Sequence, residues 1–240
     1  MTKEEYIITG LGTFNAYAKA LVQLLTRLIP NCILIQVVTD TGSSYVALCK
    51  LSDGYTVCRF SCSSSYSTFN IAFGIIDSEG SFVAQYNNGA SYILGSSTST
   101  TINITKLQVT DSFYRIRIKN GSYATAFTES VLKNGYSNEE IKVYGYSYTQ
   151  IPIFFWNGEG VSKCNIQANA PPGVSDPTIS LVELAPAFIY SSDKYLGLPT
   201  IGGKQPYIPS QTQPIEKSFF CGGKQFLMVD TSSNICIEVS

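Results

Sequence analysis

From Asn31 onward the apolar residues recur at every second position. CILIQVVT, YVALCKL, YTVCRFSC, FNIAFGII, SFVAQY and SYILG carry this pattern, separated by TDTGSS, SDG, DSEG and NNGA, which supply the Gly, Asp and Asn of tight turns. Asp53-Gly54 and Asn88-Gly89 are hairpin dipeptides, because glycine accepts the positive φ of a primed turn. TTINITKLQVTD and SFYRIRIKNGSYATAF continue the pattern, with Tyr114, Ile116 and Ile118 on one face and Arg115, Arg117 and Lys119 on the other. Such alternation means one buried and one wet face. Short strands at this spacing predict a mainly β fold, an antiparallel β-sandwich of jelly-roll-like or Ig-like type.

One segment breaks the period. In TFNAYAKALVQLLTRL, Thr13 to Leu28, the residues Phe14, Ala18, Leu21, Leu25 and Leu28 share a face while Asn15, Lys19, Gln23 and Arg27 line the other, which predicts an N-terminal amphipathic helix. Thr13 suits the N-cap and Pro30 the stop. At about 24 Å the helix is too short to cross a bilayer. Its apolar face, with Phe14, Leu21 and Leu25 as candidate interface residues, has two expected partners, the chain's own sheet or a neighbouring subunit. A second, short helix is expected around Thr128 to Leu132, and VYGYSYTQIPIFFW is expected to supply two further strands.

The prolines of ANAPPGVSDP, near Asn169, resist regular structure and suggest a boundary. The expected organisation is a helical segment over 1–30, a main β-sandwich over 31–168, and a proline-rich extended arm with a C-terminal β-meander over 169–240. TISLVELAPAFIY reads as strand. The prolines of LGLPTIGGKQPYIPSQTQPIE cannot donate to a central ladder, so this piece reads as an arm lying on another surface. SFFC, the Gly-Gly turn and FLMVD form a hairpin, and DTSSN leads into a last strand, ICIEV. A free apolar edge here would aggregate, so the meander is expected to be inserted in a sheet. Tyr207, Ile208, Phe219 and Phe226 join the candidate interface residues.

The chain has no histidine, which removes Ser-His-Asp and Cys-His nucleophiles, imidazole metal ligands and the commonest general base. Two-carboxylate chemistry needs only a pair of acids, but Glu139-Glu140, Asp77 with Glu79, Asp40 and Asp53 stand in turn-like contexts and read as solvated loop charges. Seven cysteines, Cys32, Cys49, Cys58, Cys62, Cys164, Cys221 and Cys236, lie largely inside apolar runs and read as reduced core thiols. CRFSC lacks the tight knuckle of a zinc site, the two GGKQ stretches lack the rest of a phosphate loop, and Asp77 to Gly80 lacks most calcium ligands. No metal or cofactor is expected, and no enzymatic activity. A net charge of −1 with 14% charged residues offers nothing to nucleic acid. No apolar stretch is long enough to span a membrane. A surface so poor in charge is instead expected to be covered by copies of the same chain or other protein. MTKEEYIITG carries no secretory pattern, which points to synthesis in a reducing cytoplasm and gives the sequons at Asn103 and Asn120 no role.

Tyr144, Tyr146 and Tyr148 alternate along one strand, with Trp156 nearby. Such a row can stack on sugar rings, anchor a protein contact or pack against an opposing layer.

IEKSFFCGGKQFLMVDTSSNICIEVS, with the proline-punctuated arm before it, resembles the closing hairpin of many bacteriophage virion proteins from tails, baseplates and capsid surfaces, in which an F-x-x-G-G-K-x-F turn precedes a short last strand. The resemblance is confined to this stretch and carries no functional residues with it. It implies a structural subunit of a virion, located in the particle, whose partners are copies of itself and other virion proteins. The alternative is a carbohydrate-binding β-sandwich in receptor attachment, reading a host glycan through Tyr144, Tyr146, Tyr148 and Trp156.

Overall fold

The computed structural model describes residues 2–87, 91–110, 113–133, 140–147, 153–156, 161–167, 184–186, 188–191, 194–197, 204, 206–209, 218–230 and 235–239. The described residues form β1 (Thr2–Thr9), α1 (Phe14–Leu28), β2 (Ile33–Asp40), β3 (Ser44–Lys50), β4 (Val57–Ser63), β5 (Thr68–Ile76), β6 (Phe82–Asn87), β7 (Thr101–Thr110), β8 (Phe113–Asn120), β9 (Tyr123–Lys133) and β10 (Glu140–Ser147). There follow β11 (Ile153–Trp156), β12 (Val161–Gln167), β13 (Leu184–Pro186), β14 (Phe188–Ser191), β15 (Lys194–Gly197), β16 (Pro206–Pro209), β17 (Ser218–Cys221), β18 (Lys224–Asp230) and β19 (Ile235–Glu238). They make a mainly β protein of three antiparallel sheets. A nine-stranded sheet runs β1-β7-β8-β9-β10-β11-β12-β14-β15, an N-terminal five-stranded sheet β2-β3-β4-β5-β6, and a C-terminal five-stranded sheet β13-β16-β19-β18-β17.

The alternation decides which residues meet. In the N-terminal sheet Tyr45, Ala47 and Cys49 pair in register with Cys62, Phe60 and Cys58, and these with Phe69, Ile71 and Phe73, so nine inward residues form one apolar surface. The nine-stranded sheet answers with Ile102, Ile104, Tyr114, Ile116, Ile118, Phe127 and Tyr144, all in the same core cluster. The two surfaces meet at the Phe73 ring, 6.1 Å from Phe127 and 6.2 Å from Tyr144, a sandwich-like arrangement.

Helix α1 belongs to that core. Thr13, in extended conformation, accepts the Ala16 N–H at 3.4 Å and starts the helix; the Ile29 N–H to Leu25 carbonyl bond at 2.9 Å closes it before Pro30. The helix touches β1, β2 and β3, and its apolar face, Phe14, Tyr17, Ala18, Leu21, Leu25 and Leu28, is buried. The Tyr17 hydroxyl accepts the Leu11 N–H at 3.3 Å and lies 3.0 and 2.9 Å from the carbonyls of Ser97 and Thr100, fastening the helix to the loop before β7.

Several expectations need correcting. Residues 1–30 are no separate helical segment, because β1 pairs with β7 over eight residues and α1 shares the core. Thr128 to Leu132 is not helical; it lies in β9, paired on both sides by β8 and β10, and cross-strand pairing overrides the local pattern. The boundary near Asn169 does not end the main sheet, since β12 pairs with β14 through Asn165↔Tyr190 and Gln167↔Phe188. The arm is not wholly unpaired either. Pro206–Pro209 is a strand between β13 and β19, possible because its prolines sit at the two ends while Tyr207 and Ile208 keep their N–H groups. The meander is present as β17-β18-β19, with Gly222 at φ 57° and Gly223 at φ 79° in its turn. β19 is a central strand, held between β16 and β18.

Leu21 is fully buried and Arg27 exposed. Leu21→Ala is expected to lower unfolding free energy by about 2–5 kcal/mol in urea titration, and Arg27→Ala to change it by less than about 0.5 kcal/mol.

Candidate functional site

A buried polar cluster joins the β3–β4 loop to β8, β9 and β10. Tyr114, Glu129 and Tyr144 stand side by side across β8, β9 and β10, each paired with the next. Glu129 is 7% exposed, and a buried carboxylate needs donors. It accepts the Tyr114 hydroxyl at 2.7 Å on Oε2 and the Ser52 hydroxyl at 2.8 Å on Oε1; the Lys142 ammonium lies 3.7 Å from Oε1. Lys142 Nζ donates to Ser52 Oγ at 2.9 Å, and the Tyr144 hydroxyl lies 3.2 Å from Ser52 Oγ and accepts the Asp53 N–H at 3.2 Å.

Ser52 and Asp53 come from the β3–β4 loop, so the cluster joins the sheets. Asp53 also shapes that loop, its carboxylate accepting the N–H groups of Tyr55 and Thr56, with Gly54 at φ 77°. Burial first, and then the Glu129 charge, push the Tyr114 hydroxyl well above the usual tyrosine range. Tyr144 is raised too, by burial and then by Asp53. Both phenols therefore stay protonated as donors. A serine between a lysine and a carboxylate has the makings of a nucleophile, but these groups partner one another, and the cluster acts as a clamp between the sheets.

The structure separates the residues expected to form sites. Phe14, Leu21 and Leu25 are buried in the chain's own core, so the helix presents no docking face, which corrects the interface expectation for these three. Phe226 is buried in a small cluster with Met228 and Cys236, against which Tyr207 packs edge-on at 5.7 Å and Phe219 stacks at 5.8 Å. These aromatics cover one another. Ile208 pairs with Ala185 in β16, but its side chain lies outside the described residues. Tyr144 is 3% exposed, with its ring against Phe73 and its hydroxyl in the clamp, so it cannot stack on a sugar, which corrects the expectation for this one residue of the row. Tyr146 and Trp156 lie in β10 and β11 with side chains outside the described residues, as is the whole of Tyr148.

The remaining candidates have local roles. Asp40 pairs with Lys19 at 2.8 Å and Asn15 at 3.1 Å, which hold its carboxyl below the usual range. Asp77 accepts the N–H groups of Glu79 and Ser81 in the β5–β6 turn. Glu139 lies outside the described residues. Cys49, Cys58, Cys62 and Cys236 are buried thiols outside any disulfide, and Cys164 has a side chain outside the described residues. Among the described residues no group of three or more His, Cys, Asp or Glu could hold a metal ion, and no helix is long and apolar enough to cross a membrane.

Sequence reasoning missed the most exposed apolar element. On β2, Ile33, Leu34, Ile35, Val37 and Val38 are 62, 49, 47, 41 and 51% exposed. The CILIQVVT run departs from the period of two expected of it, since Ile33, Leu34, Ile35, Val37 and Val38 fill adjacent positions, and that continuity is the one signal in the sequence. β2 is the edge of its sheet. Beside it a cavity of about 290 Å³ is lined by Ile35, Lys50, Tyr55, Val57, Ile75 and Ile76.

The fold and these features define a mainly β protein of antiparallel sheets with an exposed aliphatic edge. No protein-family model matches the chain, and no curated protein matches its sequence.

Glu129→Ala would strand the Tyr114 and Ser52 hydroxyls and Lys142, and is expected to cost about 2–4 kcal/mol in urea titration, with Glu129→Gln costing less. A second expectation concerns alkaline pH. Burial pushes the thiols of Cys62 and Cys236 up to about 12, from 9.0 when unfolded, and Cys58 well above 9.0. Above pH 9 the unfolded chain therefore loses protons that the native chain keeps, so stability, complete below that pH, falls as pH rises toward 12. Urea midpoints measured from pH 8 upward should be level at first and then decline.

Proposed function

We propose that this chain is a structural subunit of a virion that acts through protein–protein contacts. The observation that carries this reading is the exposed aliphatic edge of β2, with five of six consecutive residues from Ile33 to Val38 large, apolar and open to solvent. Isolated apolar side chains are normal on a surface, but a contiguous row on a sheet edge marks a place where another protein sits. The composition supports the same reading, since 14% charged residues leave little to keep a solitary surface dispersed. The virion assignment rests on the likeness of the Phe219 to Phe226 turn to the closing hairpins of phage tail, baseplate and capsid-surface proteins.

The test has two parts. Sedimentation velocity over a wide concentration range is expected to show species heavier than the 26.2 kDa chain, and a single species of that mass throughout would overturn the assembly reading. Mass spectrometry of purified particles from the virus encoding the chain is expected to find it in stoichiometric amount; its absence would overturn the virion assignment alone.

A further inference from the structure

We propose that Cys32 and Cys49 are a thiol–disulfide site, which a low-molecular-weight disulfide oxidises to a staple between the start of β2 and β3. The site does not depend on the assembly reading. Three sulfurs meet on the inner side of the N-terminal sheet. Cys49 and Cys58 are cross-strand partners in β3 and β4, and both are fully buried. Cys32 stands one residue before β2, in the turn that follows α1, and packs against the core cluster that holds the other two. The first pair of β2, Ile33↔Lys50, sets that turn beside the end of β3 where Cys49 lies. The Cys32 and Cys49 thiols are hydrogen-bonded to each other. Two sulfurs in such contact need only a small approach to reach the roughly 2.05 Å of a disulfide bond.

The two thiols are unequal. Cys32 is partly buried and its chain neighbours Asn31 and Ile33 are exposed, so a small oxidant reaches it from solvent. The hydrogen bond from Cys49 lowers the Cys32 thiol below its ordinary value, against burial and the Glu129 charge, which raise it. Cys49 is raised by the same bond and then by burial. Cys32 is therefore the sulfur that attacks, and Cys49 the one that follows. The turn holds them together: the Cys32 N–H donates to the Ile29 carbonyl at 3.2 Å, and Asn31 takes φ 53°, a left-handed conformation that asparagine tolerates better than most residues.

With oxidised glutathione as the oxidant, the Cys32 thiolate attacks one sulfur of the glutathione disulfide. That S–S bond breaks, a mixed disulfide forms on Cys32, and one glutathione thiolate leaves. Cys49 then loses its proton, and its sulfur attacks Cys32 Sγ and displaces the second glutathione. Two electrons pass from the protein to glutathione disulfide, and the protons of both cysteines end on two glutathione thiols. Cys58, sealed in the core, stays reduced. The product ties down the least supported strand of its sheet, since β2 is an edge strand whose ladder to β3 shifts register twice. In a reducing cytoplasm the pair stays open, and in an oxidising medium it closes.

The full chain treated with oxidised glutathione, quenched in acid, alkylated in denaturant and mapped by peptide mass spectrometry tests the site. The expected product links Cys32 to Cys49, leaves Cys58 and Cys62 alkylated, and is reversed by dithiothreitol. Cys58→Ala is expected to form the same link, and Cys49→Ala to stop at a glutathione adduct on Cys32. Amide hydrogen exchange over residues 33–40 of the wild type is expected to slow at least about tenfold on oxidation and to recover on reduction. Full alkylation of both thiols after oxidation, or a link from Cys49 to Cys58, overturns the site, and this reading needs no variant to fold. A glutathione adduct that persists on wild-type Cys32 overturns the role of Cys49. A Cys32–Cys49 link that leaves exchange in β2 unchanged overturns the staple.

Discussion

The structure depends on the contact between two inward faces, the Phe73 ring of one sheet lying against Phe127 and Tyr144 of the other. A sheet with one apolar face cannot stand alone in water, and each sheet here supplies the other's cover. Two stacked sheets leave an open side. Helix α1 closes it, touching β1, β2 and β3 and burying its apolar stripe in the same core. Among the described residues α1 is the one α-helix beside strands built on a period of two, and its continuous apolar stripe is what lies along that side.

Within this core Glu129, the one buried carboxylate among the described residues, is a constraint on geometry. Glu129 is satisfied only when the β3–β4 loop brings Ser52 to it and β8 brings Tyr114. Sliding either sheet would break those bonds and leave a charged group unpaired in an apolar setting, at a cost of several kcal/mol. Aromatic packing is tolerant of small shifts; a hydrogen-bonded carboxylate is not. The clamp thus fixes the relative position that the rings at Phe73, Phe127 and Tyr144 would otherwise leave loose.

Legibility in the sequence followed how local the cause was. The helix could be read with its cap at Thr13 because stripe and cap lie within one segment, and the alternation of Tyr114, Ile116 and Ile118 against Arg115, Arg117 and Lys119 gave β8 its buried face directly. The terminal hairpin was readable because Gly222-Gly223 fixes its turn. What failed was non-local. β1 has no clean alternation and becomes a strand only by pairing with residues a hundred positions away in β7. Thr128 to Leu132 has weak helical spacing and is a strand because β8 and β10 flank it. Tyr144 looked like part of a surface row, and only the position of the opposing sheet shows it to be buried. Glu129 gave no signal, since nothing around it in the sequence reveals that Ser52, Tyr114 and Lys142 converge there.

The two sheet edges beside α1 show how the protein manages association. An edge strand offers unpaired backbone groups to any strand that reaches it, and natural sheets respond with charge, proline or distortion. β1 responds with charge. β2 has distortion alone, its ladder to β3 shifting register between Leu34 and Gln36 and again between Val37 and Thr39, and keeps its aliphatics on both faces. Bulges disrupt an indiscriminate ladder because a straight strand cannot follow a bent one. With the ladder blunted in this way, what β2 offers a neighbour is its exposed aliphatic side chains rather than its backbone N–H and C=O groups.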